Sequence, residues 1–210
     1  IMHQTGTLES SNQGTPQGGV ISPLLANLYL HYAFDKWMER EHSQTRFIRY
    51  ADDIVIHCRT EQGAQNLKAA LTERLRECGL KLHPEKTQIV YCRDSFRREK
   101  HPNITLTFLG YTFRPRKAMS RKGKVFTSFL PAASTRAKAA LRSKLRGMRL
   151  TRNPQYQIAD IATLINPVVR GWLNYFIRYG RSTLHLLLFD IDQRILTWIR
   201  KKYKIRIGQA

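Results

Sequence analysis

The spacing of apolar residues predicts a helix near the start of the chain. Pro23 suits the first turn of a helix, and Ser22 before it suits the cap position. A helix that is apolar over so much of its circumference is expected to be largely buried. Its apolar positions form two faces, of which one carries Leu25, Leu28 and Tyr32 and the other Leu30, Phe34, Trp37 and Met38.

β-prone runs in the middle of the chain predict short strands. Residues 47–51 and 54–58 lie on either side of a tight turn at Asp52 and Asp53, which predicts a hairpin. Another β-prone run covers residues 87–92. Farther along, "ITLTFLGYTF" predicts a strand with a glycine inside it, and the basic turn "SRKGK" predicts a hairpin with "VFTSFL" as its second strand.

Helical spacing returns after Thr60 and dominates the chain after Pro131. Thr60 can cap a helix that Gly79 ends. Beyond Pro131, three amphipathic segments with short links predict a small helical bundle, whose second helix opens at Pro154 and should kink at Pro167. The chain is therefore predicted to be α+β, with a domain boundary near residue 131.

The composition indicates a folded protein of one large or two small domains. The 210 residues are 42% hydrophobic, with a mean hydropathy of −0.44. No apolar run approaches the ~20 residues that cross a bilayer, so no membrane partner is expected. Three widely spaced cysteines (Cys58, Cys78 and Cys92) favour reduced thiols in the cytoplasm over disulfides or a zinc site. The chain starts at Ile1 without a secretory signal, and we interpret it as part of a longer protein.

Positive charge is concentrated in the second half of the chain. Lys and Arg number 36 against 15 Asp and Glu, which gives a net charge of +21. The net charge is +2 over residues 1–100 and +19 over residues 101–210. Such an excess indicates a polyphosphate partner such as RNA or DNA. The alternatives are a basic surface that only confers solubility and a protein that coats RNA.

Asp52 and Asp53 are the candidate chemical groups. Neighbouring carboxylates repel each other, and burying either one without compensation is costly. A divalent cation removes this problem, because Mg²⁺ binds carboxylate oxygens and takes further ligands from phosphates. The alternative is a polar turn, since aspartate favours turns. The pair alone is weak evidence for a metal site, but its flanks, "RY" before it and "IVIHC" after it, make the pattern more specific.

Several motifs, in order, resemble those of reverse transcriptases encoded by group II introns. "RYADDIVI" resembles the catalytic hairpin of these enzymes, and "QGTPQGGVISPLLANLYLHYAFDKWM" resembles the palm motif before it. "GLKLHPEKTQIV" and "FLGYTF" are similar to the next two palm motifs, and "INPVVRGWLNYFIR" and "DIDQRILTWIRKKYK" resemble the maturase-specific thumb. The resemblance implies a partial palm of antiparallel strands and packed helices in residues 1–131. It implies a basic thumb of three helices in residues 132–210.

The resemblance also implies roles for individual residues. Asp52 and Asp53 match the catalytic, metal-binding aspartates of the family, which use Mg²⁺, and Mn²⁺ could replace it. The residues that match the template-binding and nucleotide-binding positions are Gly14, Pro16, Gln17, Gly18, Tyr50 and Ala51. Those that match the primer grip are Phe108, Leu109, Gly110 and Tyr111, although for the first two ordinary strand packing is at least as good an interpretation.

One metal ligand of the family has no counterpart in this chain. A polymerase of this type takes another aspartate from an earlier palm strand, and its fingers residues hold the nucleotide. Both would lie upstream of Ile1. Asp35 is not a substitute, because it falls within the helix that follows the glycine-rich loop. We therefore expect the isolated chain to be inactive as a polymerase and to need an upstream fingers and palm fragment as a partner.

The basic half of the chain predicts contacts to RNA. Aromatic residues between its arginines could stack on exposed RNA bases; they are Trp172, Tyr175, Phe176 and Tyr179. The alternative, which helical spacing favours, is that Trp172, Phe176 and Tyr179 form the apolar seam of the bundle. Basic side chains near them bind phosphates without reading sequence. The predicted RNA-binding residues are Arg114, Arg116, Lys122, Lys124, Arg142, Lys144 and Arg146.

The resemblance implies that this chain is a fragment, truncated at its N-terminus, of a group II intron reverse transcriptase/maturase. The intact bacterial protein would transfer deoxynucleotides from their triphosphates to a DNA primer on an RNA template, and would bind its intron RNA to assist splicing. One alternative is a non-catalytic splicing cofactor that only binds intron RNA. Another is a reverse transcriptase of the retron or diversity-generating type, against which the thumb signature argues.

Overall fold

The protein has two compact units, each with its own hydrophobic core. The computed structural model describes residue 14, residues 18–179 and residues 185–204. One unit lies within residues 1–89 and the other within residues 90–210. Helices and small antiparallel sheets together make an α+β fold, which agrees with a partial reverse-transcriptase palm and a helical thumb. In these described ranges, every helix is too short or too polar to span a membrane.

The first unit consists of helices packed against one hairpin. Its strands are antiparallel neighbours, and a π-helical segment joins its first two helices. In chain order the elements are α1 (Ser22–Leu30), the π-helical segment (His31–Asp35), α2 (Lys36–Glu41), β1 (Arg46–Tyr50), β2 (Asp53–His57) and α3 (Glu61–Glu77).

The core of this unit forms where α2 and α3 meet the hairpin. Leu67, Leu71 and Leu75 recur every four residues along α3 and are buried against Phe34 and Met38. Apolar side chains of β1 and β2 cover the other side of this cluster. The predicted cap of α3 is confirmed, since the Thr60 hydroxyl accepts a hydrogen bond from the Gly63 amide.

The prediction that the first helix is largely buried is wrong for α1. No residue of α1 is buried, and Leu24 exposes 66% of its surface; Tyr32, in the π-helical segment that follows, exposes 64%. Phe34, Trp37 and Met38 are buried as expected, because they pack against α3 and the hairpin. A π-helical turn takes an extra residue, so the apolar faces before and after it are not continuous.

The start of α1 also differs from its prediction. The helix begins at Ser22, so that Ile21 and not Ser22 takes the cap position. Pro23 lies in the first turn as expected, where its missing amide hydrogen costs nothing.

The second unit combines a three-stranded sheet with three α-helices. The strands are antiparallel and neighbours in the order β3, β4, β5. The elements are β3 (Leu106–Phe108), β4 (Tyr111–Met119), β5 (Val125–Ala133), α4 (Thr135–Gly147), a 3₁₀ turn (Leu150–Arg152), α5 (Ile158–Phe176) and α6 (His185–Tyr203).

Two strand predictions in this region are wrong. Residues 87–92 do not form a strand; the Tyr91 amide donates to Asn103 O, but no ladder continues from it. "ITLTFLGYTF" is not one strand, because Leu109 and Gly110 both have positive φ and turn the chain between β3 and β4. The hairpin around "SRKGK" is confirmed as β4 and β5.

The three predicted helices after Pro131 are confirmed, with shifted ends. Pro131 itself lies in β5, and Ser134 caps α4. The second helix begins at Ile158 and not at Pro154, because Gln157 and Asp160 form a capping box there. Pro167 lies inside α5 without ending it.

Apolar side chains of all three helices form the core of the bundle. The buried members come from α4, the 3₁₀ turn, α5 and α6, and they include Leu145, Ile161 and Trp198. The Trp198 indole donates to Asn153 O at 3.1 Å, which ties α6 to the link before α5. The proposed division into domains at residue 131 stays a prediction.

Candidate functional site

The aspartate pair lies at a two-residue hairpin turn. Tyr50 pairs with Asp53 across the hairpin, so that Ala51 and Asp52 form the turn and Asp53 is the first residue of β2. The turn is therefore one residue earlier than predicted. Both carboxylates are on exposed residues at the end of the hairpin.

The two faces of this hairpin have opposite character. Phe47 and Ile56 face each other on the side that packs against the helices. Tyr50, Asp53 and Ile48 lie on the opposite face, where Tyr50 and Ile48 are exposed. The aspartates thus adjoin an apolar, aromatic strand surface that the described residues leave open.

Ala51 adopts a backbone conformation that L-residues avoid. Its φ is +53°, in the left-handed region, which costs roughly 1–2 kcal/mol for a residue with a Cβ. Such a residue persists when its surroundings hold it there. The Arg49 guanidinium donates to Ala51 O at 3.0 Å and provides one such restraint.

Arg49 is the central polar group beneath the turn. Its Nε and a terminal nitrogen bind both carboxylate oxygens of Asp35, at 2.8 and 2.6 Å, and its other terminal nitrogen also donates to Asn27 Oδ1 at 3.0 Å. The Arg49 and Asp35 side chains are only 12% and 15% exposed. The hydrogen bonds from Arg49 hold the pKa of Asp35 below its ordinary value of 3.8, although burial opposes this, and those to Asp35 raise the pKa of Arg49.

The π-helical segment presents Asp35 to Arg49. Its carbonyls at Tyr32 and Ala33 accept hydrogen bonds from Arg74 of α3, so the irregular turn is held from the side of the core. Both oxygens of Asp35 are bound by Arg49, which agrees with the expectation that Asp35 is not a metal ligand. Sequence reasoning missed Arg49. The available signal was its place two residues after Phe47, on the core-facing side of a strand, where a charge requires a partner.

Asp52 and Asp53 fit a hard divalent cation through their donor chemistry. They supply adjacent carboxylate oxygens at an open turn. In residues 14, 18–179 and 185–204, no group of three or more His, Cys, Asp or Glu side chains is arranged to hold a metal ion. The pair therefore suits a cation that keeps several waters and takes other ligands from a substrate, as Mg²⁺ does.

The predicted template loop is described only in part. Gly14 and Gly18 are exposed and have φ values of +76° and +87°, which glycine adopts without strain. Pro16 and Gln17 lie outside the described residues.

The predicted primer-grip residues form a second two-residue turn. Phe108 pairs with Tyr111, and the intervening Leu109 and Gly110 have φ values of +48° and +78°. Tyr175 of α5 donates its hydroxyl hydrogen to Leu109 O at 2.9 Å, while the Tyr111 hydroxyl donates to Tyr175 O. The sheet and α5 thus exchange two tyrosine hydrogen bonds at this turn.

Aromatic packing closes over the same turn. The Phe176 ring is buried, and a Cβ added to Gly110 would lie 3.4 Å from it. Phe176 contacts Trp172 and Tyr111 at ring-centroid distances of 4.6 and 4.9 Å. Trp172 packs against the bundle core, as the apolar-seam interpretation predicts, whereas Phe176 is buried in a separate cluster with the sheet. Tyr179 is half exposed and meets Tyr111 edge-on.

The predicted RNA-binding residues differ in their exposure and in whether they bind other groups of the protein. Arg116 donates to the carbonyls of Leu130 and Thr112, and burial, followed by the charge of Arg114, lowers its pKa. Arg142 forms an ion pair with Asp190 at 2.5 Å. The remaining five are exposed: Arg114, Lys122, Lys124, Lys144 and Arg146.

Two family models match the chain. One, described as reverse transcriptase (RNA-dependent DNA polymerase), matches residues 2–113, and the other, described as group II intron, maturase-specific domain, matches residues 138–209. The chain belongs to the group II intron reverse transcriptase/maturase family. Both turns lie in the reverse-transcriptase match, and Tyr175 and Phe176 lie in the maturase-specific match of this family member.

A curated relative shows a more limited similarity to this reverse transcriptase/maturase family member. Protein YkfC of Escherichia coli (strain K12) is 30% identical to it over 126 residues. The match covers 43% of this chain and 32% of YkfC, so the chain spans about a third of the relative's length.

Proposed function

We propose that this chain is part of an RNA-directed DNA polymerase and splicing maturase, with Asp52 and Asp53 as its metal-binding catalytic residues. The observation that carries the proposal is the pair of exposed carboxylates at a strained hairpin turn within the reverse-transcriptase match. Arg49 fastens the turn from the side of the helices by donating to Ala51 O at 3.0 Å, which leaves both carboxylates exposed to a ligand.

Nucleotidyl transfer joins a primer 3′-hydroxyl to the α-phosphate of a deoxynucleotide triphosphate and releases pyrophosphate. A bound divalent cation supplies activation of the hydroxyl and neutralisation of charge on the phosphates. Asp52 and Asp53 bind the cation, which is Mg²⁺ or in its place Mn²⁺. Tyr50, on the same face as Asp53, offers an apolar surface beside the acidic group.

The other substrate contacts are assigned by family and by position. Gly14, Gly18 and Ala51 contact the template and the incoming nucleotide, since little side chain stands between their backbone and a ligand. The backbone of the Leu109–Gly110 turn contacts the primer. Its conformation is held by the tyrosines of the second unit, which favours a fixed contact over a mobile one.

The maturase role is assigned to the basic residues of the second unit. Lys144 and Arg146 are exposed near the end of α4, where they can bind phosphates of the intron RNA. The net charge of +19 over residues 101–210 supports this assignment.

A second candidate function is intron-RNA binding without catalysis. The exposed basic residues of α4 and the net charge of +19 over residues 101–210 favour such binding. A retron or diversity-generating reverse transcriptase is disfavoured, because residues 138–209 match the maturase-specific domain.

The polymerase proposal is tested by supplying what the family requires. The chain, mixed with a fragment that carries the fingers and first palm strand of a group II intron reverse transcriptase, is expected to extend a DNA primer on RNA with Mg²⁺. The double change Asp52→Asn and Asp53→Asn should abolish synthesis while RNA binding persists. Loss of RNA binding in that variant would instead indicate a structural role for the pair. DNA synthesis by the chain without the added fragment would refute the hypothesis that it needs a further metal-binding aspartate from that fragment.

RNA binding is tested by charge reversal on α4. Lys144→Glu with Arg146→Glu should weaken binding to intron RNA and lower the slope of log K against log salt by about one to two, since each phosphate contact contributes roughly 0.7–0.9. Arg142 is left intact because its reversal would also break the ion pair with Asp190. Arg59→Glu with Lys86→Glu, at exposed positions of the other unit, is the control with the same change in charge. Equal weakening in both variants would contradict a local RNA site on α4.

A further inference from the structure

We infer that Arg49 is a positioning residue that holds the Asp52–Asp53 turn in its metal-binding conformation by fastening it to the π-helical segment and α1. The inference rests on the proposed function, because it concerns the same metal-binding carboxylates. It assigns a role to a side chain that touches neither metal nor substrate.

The geometry that carries this inference is a convergence of three elements on one guanidinium. Arg49 makes four hydrogen bonds of 2.6–3.0 Å, two to Asp35 in the π-helical segment, one to Asn27 in α1 and one to Ala51 O in the turn itself. Four of its five N–H donors are therefore used. No lysine could reproduce this arrangement, because an ammonium group cannot bind a carboxylate through two parallel bonds while donating sideways to a carbonyl.

The position of Arg49 in β1 explains how its side chain contacts the turn. Strand residues alternate between faces, so Arg49 points toward the helices while Tyr50 points away from them. Ala51 O, two residues later, lies 3.0 Å from the same guanidinium, in a turn where Ala51 has a positive φ. One side chain therefore contacts both the helical elements and the turn.

The two carboxylates need such a restraint. Adjacent negative charges repel, and a free turn would move them apart when no cation is bound. A ligand pair that is already in place binds a cation more tightly than one that must first be ordered. The positive charge of Arg49 is largely compensated by Asp35. The Arg49 clamp, by which we mean the hydrogen bonds from Arg49 to Asp35, Asn27 and Ala51, therefore restrains the turn without placing an uncompensated positive charge beneath the metal-binding carboxylates.

The experiment uses the 210-residue chain and Mn²⁺ alone. Mn²⁺ broadens the NMR signals of backbone amides close to it, and the broadening of the Ala51, Asp52 and Asp53 amides during a titration gives the affinity at the turn. The fraction of folded protein is read from the same spectra. The wild type is expected to show local broadening that Asp52→Asn with Asp53→Asn removes.

Arg49→Gln is expected to weaken Mn²⁺ binding at the turn by about tenfold, the lower end of what changes to groups that orient metal ligands cost. Arg49→Lys, which keeps the charge but not the paired hydrogen bonds, should fall between Arg49→Gln and the wild type. The matched control is Arg76→Gln, which breaks a two-bond arginine–carboxylate pair with Glu73 on the exposed side of α3. It should leave the affinity unchanged.

The outcomes separate this inference from the proposed function. If the wild type shows no Mn²⁺ broadening at the turn, the proposed metal site itself fails. If the wild type binds and folded Arg49→Gln binds equally well, Arg49 is not a positioning residue and only this inference falls. Should Arg49→Gln unfold, Arg49→Lys decides in the same way, since an affinity equal to that of the wild type overturns the role of the paired hydrogen bonds.

Discussion

The two hairpin turns of this protein meet the same backbone problem with different chemistry. Each has two residues, and each places a non-glycine residue at positive φ: Ala51 in one and Leu109 in the other. The first is held by a charged side chain from its own strand, which bonds to α1 and the π-helical segment. The second is held by the Tyr175 hydroxyl and a phenylalanine ring from α5, and by the Tyr111 hydroxyl of β4, which donates to α5.

The difference follows from what each turn leaves open. The Arg49 clamp binds the first turn from one side only, so Asp52 and Asp53 remain exposed and free to take a ligand. Aromatic packing at the second turn covers Gly110 and leaves the turn rigid. An acidic turn suited to metal binding therefore depends on electrostatics, and a backbone contact surface depends on packing.

The largest expected effect is on the second turn, which aromatic side chains hold. Phe176→Ala removes a buried ring beside Gly110 and should lower the free energy of unfolding of the second unit by about 3–5 kcal/mol. Urea unfolding, monitored by hydrogen exchange at residues 109–111, measures this loss of unfolding free energy. Ile177→Ala, at the exposed position next to it, is the control and should change little. Equal effects of the two changes would mean that the ring does not hold the turn.

A smaller effect, confined to the first turn, is expected at low pH. Arg49 holds the pKa of Asp35 below 3.8, so the clamp contributes full stability above that value and loses it as the pH falls through the lowered pKa. His31, 3.3 Å from the same carboxylate on the same segment, also favours its charged form. The protection factors of the amides at residues 51–53, which correct exchange rates for the intrinsic effect of pH, should fall below about pH 4, whereas those of residues 109–110 should not fall with them.

The control for the acid effect is Asp35→Asn, which removes the titrating group. In this variant, the protection factors at residues 51–53 should be lower at neutral pH and should no longer fall in acid. Equal protection factors at pH 3 and pH 7 in the wild-type turn would show that charge does not restrain it.

The smallest expected effect comes from relieving backbone strain. Ala51→Gly should stabilise the first unit by about 0.5 kcal/mol, because the left-handed strain of roughly 1–2 kcal/mol is relieved while the unfolded chain gains about 0.5–1 kcal/mol of entropy. Leu109→Gly also removes a half-buried side chain and should gain less or lose stability. Thermal unfolding of both variants measures the difference. A clear destabilisation by Ala51→Gly would show that the positive φ carries no strain.

Much of the secondary structure followed from local patterns. The four-residue recurrence of Leu67, Leu71 and Leu75 predicted α3, and Thr60 was correctly expected to cap it. The β-prone runs around the two aspartates predicted the first hairpin to within one residue. These predictions succeeded because spacing and capping depend on residues within a turn or two of each other.

Other features had no local signature. Leu25 and Leu28 have the spacing of a buried helix face, yet no described residue buries them. Leu109 favoured a continuous strand, since leucine rarely adopts positive φ, but here it occupies a two-residue turn that α5 binds through Tyr175. Arg49 was overlooked because its partner Asp35 lies 14 residues earlier, in a segment with its own helical pattern.

The amino-acid sequence by itself determined the family, the order of the main elements and the two aspartates at a hairpin turn, because motifs and periodicities are properties of neighbouring residues. The tertiary structure decided which distant polar groups Arg49, Tyr111 and Tyr175 would bind. The clamp joins residues 14 and 22 positions apart, and the tyrosine bonds join residues 64 and 66 positions apart. Such pairs form only when packing brings distant segments together, which no local period encodes.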